Sequence, residues 1–134
     1  MDQEVIKRVN LSLGRCLIKD EFLNSFYERL LSKNPQIEAM FQKTDLKKQI
    51  KVLREGITFL VMASGGSRFA IKELEKLGIL HDKDHLNIAP SMYSIWVDAF
   101  LSTLEEYDYE FNEKLGEEWR TTLEESLTVM KEAY

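Results

Sequence analysis

Apolar residues recur every three or four positions along almost the whole chain, which is the spacing of one face of an α-helix. A first helix is predicted from residue 2 to about residue 15, and a second, with a broad apolar face, ends at Asn34-Pro35. A short helix carrying Ile37, Met40 and Phe41 follows, and Thr44-Asp45 then provides an N-cap for a long helix that reaches about Ser64. No stretch alternates with the period of two that is typical of a strand.

Three more helices are predicted after the helix breaker Gly65-Gly66-Ser67, beginning at about Arg68, at Pro90 and after Asp108. The inner face of the long fourth helix is predicted to consist of Leu46, Ile50, Leu53, Ile57, Leu60 and Val61. Seven helical segments with short connections predict an all-α protein, and residues 1–134 contain no repeat or linker that would divide them. We therefore expect a single domain.

Both histidines lie in residues 77–90, where the pattern indicates more than packing. Ala70, Leu74 and Leu77 share one helical stripe, and His81 continues it at the next i+4 step, so its imidazole should point inward. A histidine in this position can be a core or capping residue, a catalytic base or a metal ligand. The stripe alone leaves these alternatives open.

Two other polar side chains lie on or beside apolar faces. Gln49 borders the inner face of the fourth helix, and Tyr27 lies within the apolar face of the second. A buried amide or phenol needs a hydrogen-bond partner, although a glutamine at a boundary and a tyrosine whose hydroxyl reaches the surface are common.

Composition excludes several classes of function. The chain has 18 Lys and Arg against 23 Asp and Glu, a net charge of −5, and no basic window rich in aromatic residues, so a nucleic-acid partner is not expected. The single cysteine, Cys16, excludes an internal disulfide and a multi-cysteine zinc site, and it suits a reducing compartment such as the cytoplasm. No apolar run is long enough to span a bilayer, so no membrane is expected.

The order of these motifs resembles a globin, in particular the bacterial single-domain haemoglobins and the haem domain of flavohaemoglobins. The order is Phe-Tyr in the second helix, Asn-Pro, Met-Phe, Thr-Asp followed by Gln49 and Leu53, Leu-Gly-x-x-His, Asn-Ile-x-Pro-x-x-Tyr and a tryptophan in the last helix. The resemblance covers nearly all of the chain. It implies a globin fold, a three-on-three helical sandwich around haem, with a short or absent D helix.

The resemblance also implies roles for individual residues around haem b, iron protoporphyrin IX. His81 matches the proximal histidine that binds the iron, and His85 matches a histidine beside a haem propionate. Tyr27 and Gln49 match the distal tyrosine and glutamine of bacterial globins. Further haem contacts are implied at Phe41, Leu53, Leu77, Ile88, Tyr93 and Trp96.

The chain departs from the family pattern in three places. The segment between Phe41 and Gln49 is short, and the loop after His81 has two or three extra residues. In flavohaemoglobins a late glutamate pairs with the tyrosine that corresponds to Tyr93, whereas Tyr134 stands where it would be expected. Without that glutamate a strongly donating proximal histidine and peroxidase-like chemistry are not expected.

The function implied is reversible binding of dioxygen, and of nitric oxide or carbon monoxide, at the iron, for oxygen storage or transport. One alternative is nitric oxide dioxygenation, which would need an external reductase because we expect no flavin or nicotinamide domain in this chain. A haem-based gas sensor and a haem-free helical interaction module are the others. No catalytic side chain is predicted, and a monomer or a homodimer is expected.

Overall fold

The structure, a computed structural model, describes residues 2–82, 84 and 88–132, and these residues form seven α-helices and no strand. The helices are α1 (Gln3–Leu17), α2 (Phe22–Lys33), α3 (Pro35–Met40), α4 (Leu46–Ser64), α5 (Arg68–Leu80), α6 (Pro90–Tyr107) and α7 (Glu113–Glu132). The predicted all-α class is confirmed. Among the helices of the described residues, none has the length and apolarity that a membrane span requires.

Local side-chain hydrogen bonds explain where several helices begin. The Asp45 carboxylate accepts from the backbone N–H groups of Lys47 and Lys48 at 3.1 and 3.4 Å, which caps α4 at the predicted place. Asn34 caps α3 in the same way, with Pro35 in the first turn. Between α4 and α5, Gly66 has φ of 94°, a left-handed conformation that favours glycine. The starts of α3 and α4 and the break between α4 and α5 could therefore be predicted from the sequence.

Three details differ from the expectation. Helix α1 continues through Gly14 to Leu17, because a glycine is tolerated in a helix whose other positions pack well. Leu46, placed on the inner face of α4, is 44% exposed, since it is the first helical residue and lies beyond the part of α4 that packs on other helices. Phe41 follows α3 as its C-cap and is not part of the helix. As expected, no helix intervenes before α4.

An aromatic cluster joins α2, α6 and α7. Phe100 stacks on Trp96 with ring centroids 5.2 Å apart and meets Phe26 and Trp119 edge-on, each at 5.5 Å. Such aromatic pairs contribute roughly 0.5–1.5 kcal/mol each beyond their buried area. Because Phe26 contacts both Tyr27 and Trp96, the cluster also holds the middle of α2 against α6.

A buried polar network connects α1 to the turn between α6 and α7. The Ser12 hydroxyl donates to Asp108 at 2.6 Å and accepts from Trp119 Nε1 at 2.9 Å, and Arg15 donates to Asp108 at 2.6 and 3.0 Å. Burial alone would raise the pKa of Asp108, but the hydrogen bonds from Arg15 and Ser12 outweigh it and leave the pKa below its usual value. The carboxylate is therefore ionised and paired.

Candidate functional site

A cavity of about 600 Å³ lies between helices α2 to α7. This volume falls in the range of roughly 300–1,000 Å³ that small-molecule and cofactor sites occupy. Most of its described wall is aliphatic or methionine side chains, and polar atoms come from Tyr27, Thr44, Gln49, His81, Tyr93 and Trp96. An apolar cavity with a few polar groups suits a ligand that is itself mostly apolar.

The structure brings together nearly all of the site residues that were predicted from the sequence. The cavity wall includes Tyr27, Phe41, Gln49, Leu53, Leu77, His81, Ile88, Tyr93 and Trp96. His85 lies outside the described residues, so its expected place beside a propionate stays a prediction. Nine of the residues predicted from the sequence therefore share one cavity.

His81 caps the C-terminal end of α5 and presents its ring to the cavity. Its backbone N–H donates to the Leu77 carbonyl at 3.0 Å, and its own carbonyl accepts from Ile88 N at 2.8 Å, so the backbone is held on both sides of the loop. The Tyr93 hydroxyl lies 3.5 Å from Nδ1. With Nδ1 beside that hydroxyl, Nε2 is the ring nitrogen available to a metal.

The electrostatics of His81 also suit metal binding. Burial lowers the pKa of its imidazole below the ordinary value, which favours the neutral ring. A metal needs the lone pair of a neutral imidazole, so the ring is ready to coordinate at neutral pH.

Tyr27 and Gln49 meet on another part of the wall, where α2 faces the start of α4. The phenol of Tyr27 is 4% exposed and donates to the backbone carbonyl of Gln49 at 3.4 Å. The partner is thus the main chain of Gln49, while its half-buried side chain also lines the cavity. Burial raises the pKa of Tyr27 to about 12, although the Gln49 side chain lowers it in part. The hydroxyl therefore keeps its proton and remains a donor.

Several wall residues were not nominated from the sequence. Val52 and Gly56 continue the stripe of Gln49 at i+3 and i+7, a spacing that could have revealed them. A Cβ added to Gly56 would meet nothing within 4 Å, so the glycine leaves open space on that side. Met92 and Met130 carry no local signal, because only the packing of α6 and α7 brings them to the cavity.

The comparisons with known proteins define the family. The Globin family model matches residues 24–130, most of the chain, and the chain therefore belongs to the globin family. Membership in that family implies binding of haem and of a diatomic gas.

A solved structure of similar sequence supports the same conclusion. The Pseudomonas aeruginosa PAO1 protein PA3967, described as structurally highly homologous to a human haemoglobin, is 35% identical in sequence. The two structures agree with a TM-score of 0.93 over 97% of this chain and 98% of that one. No curated protein matches the chain significantly.

The residues present fit the cofactor that the family implies. Haem is a large, flat and mostly apolar group whose porphyrin supplies four nitrogens, so the protein needs to add an axial ligand and a dry slot. The described residues contain no cluster of three or more His, Cys, Asp or Glu that could hold a bare metal ion. A half-buried, neutral imidazole on the wall of an apolar cavity is the donor that haem requires.

Proposed function

We propose that residues 1–134 form one globin domain that holds haem b in this cavity and binds dioxygen reversibly, with nitric oxide and carbon monoxide as further ligands. The observation that carries the proposal is the place of His81, a half-buried imidazole on the wall of an apolar cavity with Nδ1 beside the Tyr93 hydroxyl. Its Nε2 is the proposed iron ligand. His85 is proposed to lie beside a propionate.

The protein's part in this function is to hold the cofactor and keep water out. When bound, haem would supply an iron that binds a diatomic gas. Phe41, Leu53 and Leu77 contribute the apolar surface that such a disc needs, and Ile88 and Trp96 extend it. Tyr93 lies beside Nδ1, and a hydrogen bond donated by Nδ1–H to its hydroxyl oxygen would leave the Nε2 lone pair for the metal.

Tyr27 is proposed to select among the gases. Its phenol is protonated and buried, and its bond to the Gln49 carbonyl is long at 3.4 Å, so a better acceptor in the cavity can replace that carbonyl at low cost. A ligand that carries partial negative charge is such an acceptor. The Gln49 amide lies at the same end of the cavity and can donate a second hydrogen bond.

The pairing of a phenol with an amide also suits a second function, nitric oxide dioxygenation. Both donors favour a ligand polarised toward negative charge, which that chemistry requires. A reductase would have to return the iron to the ferrous state after each turnover. Turnover of nitric oxide with a supplied reductase distinguishes this enzyme from an oxygen carrier.

Absorption spectra test the proposal. The protein expressed with haem should show a Soret band, and ferrous, oxygenated and carbon monoxide forms should each have their own spectrum. Extraction into pyridine identifies the haem type.

His81→Ala should lose or scramble the haem, while the matched variant His85→Ala should keep the Soret band. A Soret band that survives loss of His81 and disappears with loss of His85 would reverse the assignment.

A further inference from the structure

Basic side chains are concentrated at the beginning of α4, although the whole chain has a net charge of −5. Residues 42–54 contain five basic residues against the single acid Asp45. By contrast, residues 98–134 contain eleven acids and three basic residues. The positive charge at the start of α4 is therefore a local feature of an acidic protein.

Four of these five basic residues are exposed lysines. We call Lys43, Lys47, Lys48 and Lys51 the basic patch; none of them forms an ion pair with a described residue. The one acid among them, Asp45, uses its carboxylate to cap α4. Arg54 is not part of the patch, because its guanidinium donates to the Leu17 carbonyl at 3.4 Å.

The basic patch borders the opening of the cavity. Among the described wall residues, Met40 and Val52 are exposed, at 39% and 49%, and so mark where the cavity meets solvent. Lys48 precedes Val52 by one helical turn and shares its face, and Lys43 follows Met40 by three residues. Exposed apolar side chains with charged groups around them are typical of the centre and rim of a protein interface.

We propose that the basic patch docks an acidic protein that carries a one-electron donor such as reduced flavin, next to the cavity opening. The proposal rests on the haem function proposed above. One electron leaves the partner's flavin and reduces ferric iron to ferrous iron, and no atoms are exchanged. The patch lysines gain carboxylate partners on docking, and the positive field steers an acidic surface to the place where electrons are needed.

The charge of the whole molecule favours a protein over a membrane as the occupant. A uniformly anionic bilayer faces the net charge of −5 as well as the patch, whereas a protein can present its carboxylates to the patch alone. The apolar residues here also surround a concave opening, which a convex protein surface fits better than a flat one.

Docking can be measured separately from electron transfer. The probe is an acidic flavodoxin in its oxidised form, labelled with a fluorophore and titrated with the purified globin while anisotropy is recorded. Lys48→Glu/Lys51→Glu reverses two charges of the patch, and acids near a helix N-terminus do not oppose its dipole. Lys7→Glu/Lys72→Glu, at exposed sites on α1 and α5, changes the net charge equally and is the control.

At low salt the patch variant should bind the flavodoxin about tenfold more weakly than the wild type, and the control variant should bind like the wild type. The difference should disappear in about 0.5 M salt, where charges are screened within a few ångströms. Stopped-flow reduction of the ferric protein by photoreduced flavodoxin should likewise be slower in the patch variant than in the wild type, and unchanged in the control variant. Anisotropy does not require haem, so loss of the haem function and loss of docking are separate results.

Four results would overturn the proposal. Equal weakening in both variants would mean that bulk charge, not the patch, sets the affinity. Stronger binding to phosphatidylglycerol vesicles than to flavodoxin, lost in the patch variant, would identify a membrane as the partner. Self-association in sedimentation that only the patch variant abolishes would identify a second copy of the chain. Loss of haem from the patch variant would assign the lysines to the propionates.

Discussion

Replacing Tyr27 by phenylalanine removes the hydroxyl on which the proposed gas selectivity depends and little else. The ring keeps its contacts, since Tyr27 lies 5.6 Å from Phe26 and 5.7 Å from Phe41 between ring centroids. The hydrogen bond lost in the resting protein is the long one to the Gln49 carbonyl, at 3.4 Å. The variant should therefore fold and bind haem like the wild type.

The effect on dioxygen should be large. A hydrogen bond from a phenol to an acceptor with developing negative charge, in a dry cavity, contributes about 1.5–3 kcal/mol. Since about 1.4 kcal/mol is a factor of ten, Tyr27→Phe should speed oxygen dissociation by roughly ten- to a hundredfold. Carbon monoxide is a poor acceptor, so its dissociation should hardly change. Because burial raises the pKa of Tyr27 to about 12, the wild-type rate should also be constant from neutral pH to about pH 10.

Stopped-flow displacement of oxygen by carbon monoxide measures this rate. Gln49→Leu is the matched control for the other donor and should have a smaller effect, since Gln49 is only half-buried and water competes with its amide. An oxygen dissociation rate unchanged in Tyr27→Phe would mean that the phenol does not face the ligand. A larger effect of Gln49→Leu would transfer the role to the amide.

Two more variants test the cavity and the fold. Phe41→Ala removes a half-buried ring from the wall and should weaken haem binding by about 2 kcal/mol, seen as faster haem transfer to an apo-globin acceptor; an unchanged transfer rate would place Phe41 away from the porphyrin. Asp108→Asn should destabilise the protein by about 2–3 kcal/mol in urea unfolding, because Arg15 loses its buried partner while remaining partly exposed. The lowered pKa of Asp108 means that this contribution is present above about pH 4 and is lost as the pH falls through the native value. The wild type should therefore lose stability more steeply than Asp108→Asn at acid pH, and parallel acid profiles would refute the pairing.

The helix pattern and most helix ends could be predicted because their causes are local. Asp45 caps α4 by accepting from the N–H groups two and three residues later in the chain. Asn34 caps α3 through an N–H group two residues later, with Pro35 in the first turn. The inward stripe that ends at His81 follows from the 3.6-residue period. The roles of Phe41, Ile88 and Trp96 came from the resemblance to globins, since no local pattern distinguishes a cavity wall from an ordinary core.

Tertiary packing decided the features that depend on distant parts of the chain. Trp119 donates to Ser12 across 107 residues of sequence, and Ser12 donates to Asp108 across 96. The Tyr93 hydroxyl lies 3.5 Å from Nδ1 of His81, a contact that depends on where the start of α6 is placed relative to the end of α5. The periodicity of the sequence shows which face of a helix is apolar. It does not show which other helix that face packs against, or where the packing leaves a cavity. Leu46 is exposed and Met130 lines the cavity for that reason, because burial depends on how all seven helices pack together.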